Sequence, residues 1–310
     1  MARPLSRPLP NRERAARSEG RASRTLAVQK NPGRPPPLSP EQIQARVLYR
    51  DGLILVIDKP PGLAVHAGPS KAPNLEECFD ALRYGLPRPP ALAHRLDADT
   101  AGVLVLGRHP KALAKLGRLF SGRDTEKTYW AVVEGAPPAD EGVFDWPLLK
   151  LNTRSGWSVK VSDKGQTAVT RYTVLGRAPG MSWLELTPET GRTHQLRVHM
   201  EAIGHPILGD GKYAGQDAFL TGAISRKLHL HARRIRIDHP DGGRIDVTAE
   251  LPDHFAATMA SLGFDPALGE LPLDEVKYSE TPEGKRKAVS AAAKARRKER
   301  KGERRNRGRG

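Results

Sequence analysis

The 310-residue chain is 38% hydrophobic and has one cysteine, Cys78. It can therefore bury a core, but it has no internal disulfide and no thiolate-rich zinc site, which suits a reducing compartment. Its formal charge of +16 attracts polyanions and is unevenly divided: residues 1–40 carry nine Lys/Arg against two Glu (+7), residues 281–310 carry thirteen against three (+10), and 41–280 hold 29 basic and 30 acidic residues, a net of −1.

Residues 1–40 contain eight prolines among arginines and small polar residues, too little apolar surface to offset the entropy of ordering, so a disordered basic Pro/Arg-rich arm is expected. Its basic start lacks the apolar stretch of a signal peptide. No run approaches the roughly 18 apolar residues of a bilayer span. A soluble, cytoplasmic, monomeric protein without membrane partners is expected.

Asp51-Gly52 joins VLYR to LILVID, a hairpin signal, because Asp-Gly supplies the positive φ angles of a tight turn. Asn74, with Glu77 three residues on, caps an expected helix reaching Tyr84. GVLVLGR (102–108) is apolar on both faces and predicts a buried strand. Pro110 opens a helix that stops near Gly122. KTYWAVVEG, TAVTRYTVLG, SWLELTP, RIRIDHP and RIDVTAELP read as strands, with RTHQLRVHMEAIG as a helix among them. The expected class is α+β, a largely antiparallel mixed sheet with flanking helices. The catalytic domain is assigned to 41–275. Residues 276–310, with KRK, RRKER and KGERRNRGRG, form an expected disordered Lys/Arg-rich tail that orders only on a partner.

Two segments carry chemistry. His94-Arg95-Leu96-Asp97-Ala98-Asp99-Thr100 precedes the buried strand, a rigid mount for a reactive carboxylate; the plainer alternative is that Asp97 or Asp99 caps a turn with Arg95 paired to it on the surface. In Gly191-Arg192-Thr193-His194-Gln195-Leu196-Arg197, helical geometry puts Arg192 and Arg197 roughly 140° apart, so the two cannot serve one site. Arg197 shares a face with His194, while Arg192 lies at or before the helix start, free to reach a phosphate. The histidines lack metal-ligand spacing, and there is no GxxxxGK[ST] or GxGxxG loop, so neither a metal nor a nucleotide cofactor is expected.

Taken together, VIDKPPGLAVHAGP, HRLDADTAGVLVLGR, EKTYWAVVEG, LTPETGRTHQLRVHMEAIGHPILGD and LHLHARRIRIDHP, in this order, resemble the RluA family of pseudouridine synthases over roughly 50–252. The resemblance implies a pseudouridine-synthase-like fold, catalytic Asp97 in HRLD, Tyr129 two residues after Lys127, and Arg197 pairing with the aspartate. It implies RNA contacts from His94, Arg95, Leu96, Thr100, Lys127, Arg192, Thr193, His194 and Gln195, with RNA, ribosomal or transfer, held by the core groove and both tails. The family usually shows Thr-Ser-Gly where this chain has Thr100-Ala101-Gly102, a change that removes no catalytic group. Asp97 could attack ribose C1′ or remove a ribose proton, and Arg197 would keep it ionised by charge pairing. Tyr129 could stack on the extruded base and help move the C5 proton. A non-catalytic RNA-binding or ribosome-associated protein, or a nucleoside glycosidase, would use some of the same features.

Overall fold

The computed structural model describes residues 38–68, 72–122, 125–153, 156–214 and 224–270; both strongly basic ends lie outside them. The elements run α1 (Pro40–Gln44), β1 (Val47–Arg50), β2 (Ile54–Lys59), a 3-10 helix (Leu75–Leu82), β3 (Ala91–Leu92), β4 (Ala101–Gly107), α2 (Pro110–Ser121), β5 (Glu126–Glu134) and β6 (Glu141–Asp145). They continue with β7 (Leu148–Thr153), β8 (Gly156–Val161), β9 (Val169–Ala178), β10 (Met181–Pro188), α3 (Gln195–Ala202), β11 (Leu230–Asp238), β12 (Arg244–Thr248) and α4 (Asp253–Leu262).

Among the described residues, ten strands form one sheet in the order β1-β2-β4-β11-β5-β10-β9-β6, with β3 on β4 and β12 on β11; β7 and β8 make a separate two-stranded ribbon. Its strand pairs are antiparallel except β4 with β11, where His231 lies beside Ala101 and Ala232 beside Gly102. The close approach requires glycine: Gly102 has φ +109°, and a Cβ there would lie 2.2 Å from the Ala232 carbonyl oxygen.

Alternation along the strands divides the apolar residues between two faces, as period-2 geometry demands. In the first half, Leu55, Ile57, Leu104 and Leu106 pack with Leu75, Phe79 and Leu82 of the 3-10 helix, while Ile54, Val56, Val103 and Val105 meet Leu116 of α2 and Ile235 of β11. In the second half, Ala131, Val133, Leu184 and Leu186 receive Leu196 and Met200 of α3. On the reverse face Trp130, Val132 and Trp183 receive Phe255 and Met259 of α4. Both faces of the central strands are thus covered, which explains why β4 is buried at every position. No described helix is long and apolar enough to cross a membrane.

The Asp51 hairpin forms, its Oδ1 accepting from the backbone N–H of Leu53 and Ile54 at 2.7 Å. Asn74 caps as read, but the helix it starts is 3-10 and ends before Tyr84, which sits at φ 45°. The helix read from 192 begins only at Gln195, because His194 takes the left-handed conformation at φ 54° and closes off the turn before it.

Candidate active site

Asp97 lies in the loop between β3 and β4. Leu96 beside it is buried, the Thr100 N–H donates to the Asp97 carbonyl at 3.2 Å, and the fully buried Lys59 ammonium donates to the carbonyls of Pro60 (2.7 Å) and Ala98 (2.8 Å). The loop is therefore pinned on both sides of the carboxylate. Burial lowers the Lys59 pKa to about 7, against the pull of Asp99 and Asp97.

Two nitrogens approach Oδ2 of Asp97: His194 Nε2 at 3.7 Å and Arg197 Nη1 at 3.8 Å. Both come from the start of α3, so Arg197 and His194 do share a face. Arg192 precedes the helix, and the divergence argument that separated it from Arg197 does not apply to it. It is exposed at the rim of the same cleft, its Nε donating to the Thr167 carbonyl at 3.0 Å.

Asp97's pKa is raised above the ordinary carboxylate value by burial, with Arg197, Arg95 and Lys59 opposing. Charge pairing thus offsets desolvation without overcoming it. The reason is that Arg197 spends its short bonds elsewhere, with Nε and Nη2 each 2.7 Å from the carboxylate of Asp210, which is 1% exposed.

Across the cleft, Tyr129 of β5 sits opposite Ala232 of β11 and Leu186 of β10, and it touches both major cores. Its hydroxyl pKa is raised by burial and by the Asp97 charge. Lys127, two residues earlier on the same strand, points to the same side, and burial lowers its pKa. Arg95, Leu96, Asp97, Thr100, Lys127, Tyr129, Arg192, Thr193, His194, Gln195 and Arg197 all line this one cleft.

His94 does not line it. Its Nε2 accepts from the Val105 N–H at 3.0 Å, its ring stacks on Phe120 at 4.3 Å, and burial lowers its pKa to about 3. It anchors the loop to β4 as a neutral ring. Gln195 lines the cleft but its amide is fully used within the protein: Oε1 accepts from Thr190 (2.7 Å) and the Arg192 N–H (3.0 Å), and Nε2 donates to Val169 (2.8 Å) and Thr170 (2.9 Å). Its role is to shape the Arg192 loop. His199 and His229 likewise bond to protein atoms in the core, through Thr170 and Trp146 and through Thr258.

Sequence reasoning missed Asp210 and Tyr213, whose hydroxyl is 2.8 Å from His194 Nδ1. It also missed Trp157 of β8, whose ring lies 4.7 Å from that of His194 and 3.5 Å from the Lys212 ammonium. The only signal was the position of Asp210 at the end of GHPILGD; nothing in its spacing points to Arg197.

A mixed sheet whose cleft holds a mostly buried carboxylate beside cationic side chains and a tyrosine makes a site suited to acid–base or nucleophilic chemistry on an anionic substrate. A family model described as RNA pseudouridylate synthase matches residues 53–202. The chain is 41% identical over 221 residues to an uncharacterized RNA pseudouridine synthase of Zymomonas mobilis, covering 71% of this chain and 97% of the relative. It is 40% identical over 204 residues to the dual-specificity RNA pseudouridine synthase RluA of Yersinia pestis, covering 64% and 94%. Among solved structures it resembles human RNA pseudouridylate synthase domain containing 4, with a TM-score of 0.61 and 30% identity over 72% of this chain and 95% of that one. The chain belongs to the RluA-type RNA pseudouridine synthases, which are isomerases.

Proposed function

We propose that this enzyme isomerises specific uridines in structured ribosomal or transfer RNA, with Asp97 as the group that breaks and re-forms the glycosidic bond. The observation that carries the assignment is the convergence of His194 and Arg197 on one oxygen of a pinned, mostly buried carboxylate. Such a group is held for the chemical step and not for docking.

The target base leaves its stack to reach the cleft. The C1′–N1 bond breaks, the uracil turns, a C5–C1′ bond forms, C5 loses its proton and N1 gains one. The ionised Asp97 can open this sequence by attacking C1′ or by removing a ribose proton, and both routes need it charged. Tyr129 stacks on the freed base and serves the C5 proton. Arg197 stabilises the Asp97 charge. Arg95, Lys127, Arg192 and Thr193 bind the nucleotide and its phosphates, and Leu96 and Thr100 shape the floor. Because every atom of the product comes from the substrate, the chemistry calls for no redox or group-transfer cofactor.

The division of charge supports RNA lying along both basic ends as well as the core. A monomer in the cytoplasm fits this work. Pseudouridine mapping of ribosomal and transfer RNA, with and without the gene, tests the reading; both RNAs are needed because one relative is named for dual specificity. Loss of a defined pseudouridine supports it. With purified protein, RNA of unchanged mass bearing pseudouridine is expected; uracil release would indicate a glycosidase, and binding without a new nucleoside a non-catalytic RNA-binding protein.

A further inference from the structure

Asp210 does more than hold Arg197. Its Oδ1 also accepts from the backbone N–H of Lys212 (3.1 Å) and of Tyr213 (3.2 Å), so a single short turn fixes both Arg197 and the phenol of Tyr213. The Tyr213 oxygen accepts from the backbone N–H of Val159 on β8. With that acceptor position used, the phenol offers its own proton to His194 Nδ1, 2.8 Å away, when that nitrogen carries none. A neutral imidazole that accepts at Nδ1 must carry its proton on Nε2, the nitrogen that faces Asp97 Oδ2 at 3.7 Å.

We infer that Tyr213 and His194 are positioning residues for the isomerisation: Tyr213 locks His194 in the Nε2–H tautomer so that a second N–H, beside Arg197, faces the Asp97 carboxylate. The inference rests on the proposed role of Asp97. Trp157, packed on the His194 ring, keeps the imidazole from turning away. The ring stays neutral at working pH, because burial and the charges of Arg197, Lys212, Arg95 and Lys150 lower its pKa to about 3. The other groups facing Asp97 are Arg95 and Asp99 from its own loop, Lys59 from β2, Tyr129 from β5 and Lys212 from the turn. None of these is displaced by removing one phenolic oxygen.

Tyr213→Phe removes only that oxygen. Loss of a donor to the charged form raises the Asp97 pKa, so the acid limb of kcat should move upward by about one pH unit while KM for RNA stays within about twofold. His194→Gln should itself lower turnover, and adding Tyr213→Phe to it should cost little more, because the phenol acts through the imidazole. Nitrogen NMR of the imidazole reads the tautomer directly: Nε2–H in the unaltered protein, shifting toward Nδ1–H in Tyr213→Phe. An Nδ1–H tautomer in the unaltered protein, or an unmoved acid limb with an unmoved Asp97 carboxyl titration in Tyr213→Phe, would overturn the inference. The tautomer and the titration need no turnover, so their failure is distinct from a failure of the assigned activity.

Discussion

Arg197 grips Asp210 with two 2.7 Å hydrogen bonds, and both side chains are more than nine-tenths buried. Breaking such a pair from one side leaves a buried charge unpaired, which costs roughly 3–5 kcal/mol. Asp210→Ala should lower the unfolding free energy by that amount and also cut turnover, because the guanidinium loses its orientation toward Asp97. Arg197→Met combined with Asp210→Ala should regain part of the lost stability and none of the activity. Equal stability of the single and double variants would show that the pair is not the source of the loss.

Asp97→Asn should reduce turnover by at least about 10²–10⁴-fold with RNA affinity changed only a few fold, because the missing group serves the chemical step. Its stability profile is equally specific. Burial raises the Asp97 pKa in the folded state, so the carboxyl stabilises the fold at pH values below its unfolded pKa, and that contribution is lost as pH rises through the folded pKa. Urea midpoints of the two proteins should therefore separate with rising pH above the ordinary carboxylate range, the Asn form gaining. Parallel profiles would mean the folded site does not perturb the acid.

Arg192 and Arg197 flank one cleft but differ in burial, and their variants should differ in kind. Arg192→Met should raise KM several-fold and shallow the salt dependence of binding by about 0.7–0.9, the share of one phosphate contact. Arg197→Met should lower kcat with a smaller change in KM. Reversed effects in steady-state kinetics would exchange the two roles.

Gly102→Ala places a methyl against the Ala232 carbonyl at a positive φ. Left-handed strain and a backbone clash together should cost roughly 2–5 kcal/mol, and the damage should reach Asp97 through the loop that enters β4. A thermal midpoint near that of the unaltered protein would show that β4 and β11 can separate cheaply.

A chain of residues 41–280 has a net charge of −1, against +16 for the whole. It should fold and modify the same uridine at low salt, with a higher KM, nearly unchanged saturated turnover and a salt slope several units shallower, as expected when flexible cations release counterions outside the site. An unchanged slope would place the phosphate contacts on the core.

The sequence showed the sheet and the reactive loop because local signals mark both: Asp51-Gly52 for the hairpin, an all-apolar run for β4, Pro110 and Gly122 for α2. It singled out Arg197 by its helical face, but paired it with Asp97 only through the family resemblance. Asp210 and Tyr213 act from a turn whose partners are 13 and 19 residues away, and no periodicity reports such contacts. The β7–β8 ribbon and α4 went unread, although Phe255 and Met259 lie at helical spacing before Gly263. His94 and Gln195 carry family-motif chemistry in their names and structural work in their bonds, a distinction that only their partners reveal.

The strand order has a consequence for how the enzyme comes into being. Asp97 belongs to the half of the sheet built from β1, β2 and β4, whereas Tyr129 lies on β5 and Arg197 on the helix packed over the other half, and among the described residues β11 is the strand that joins the two halves. Because β4 and β5 each pair with β11 and not with one another, the sheet is continuous only once Leu230–Asp238 has been made. A chain interrupted before Leu230 would thus hold Asp97, Tyr129 and Arg197 while lacking the strand that joins their two halves of the sheet.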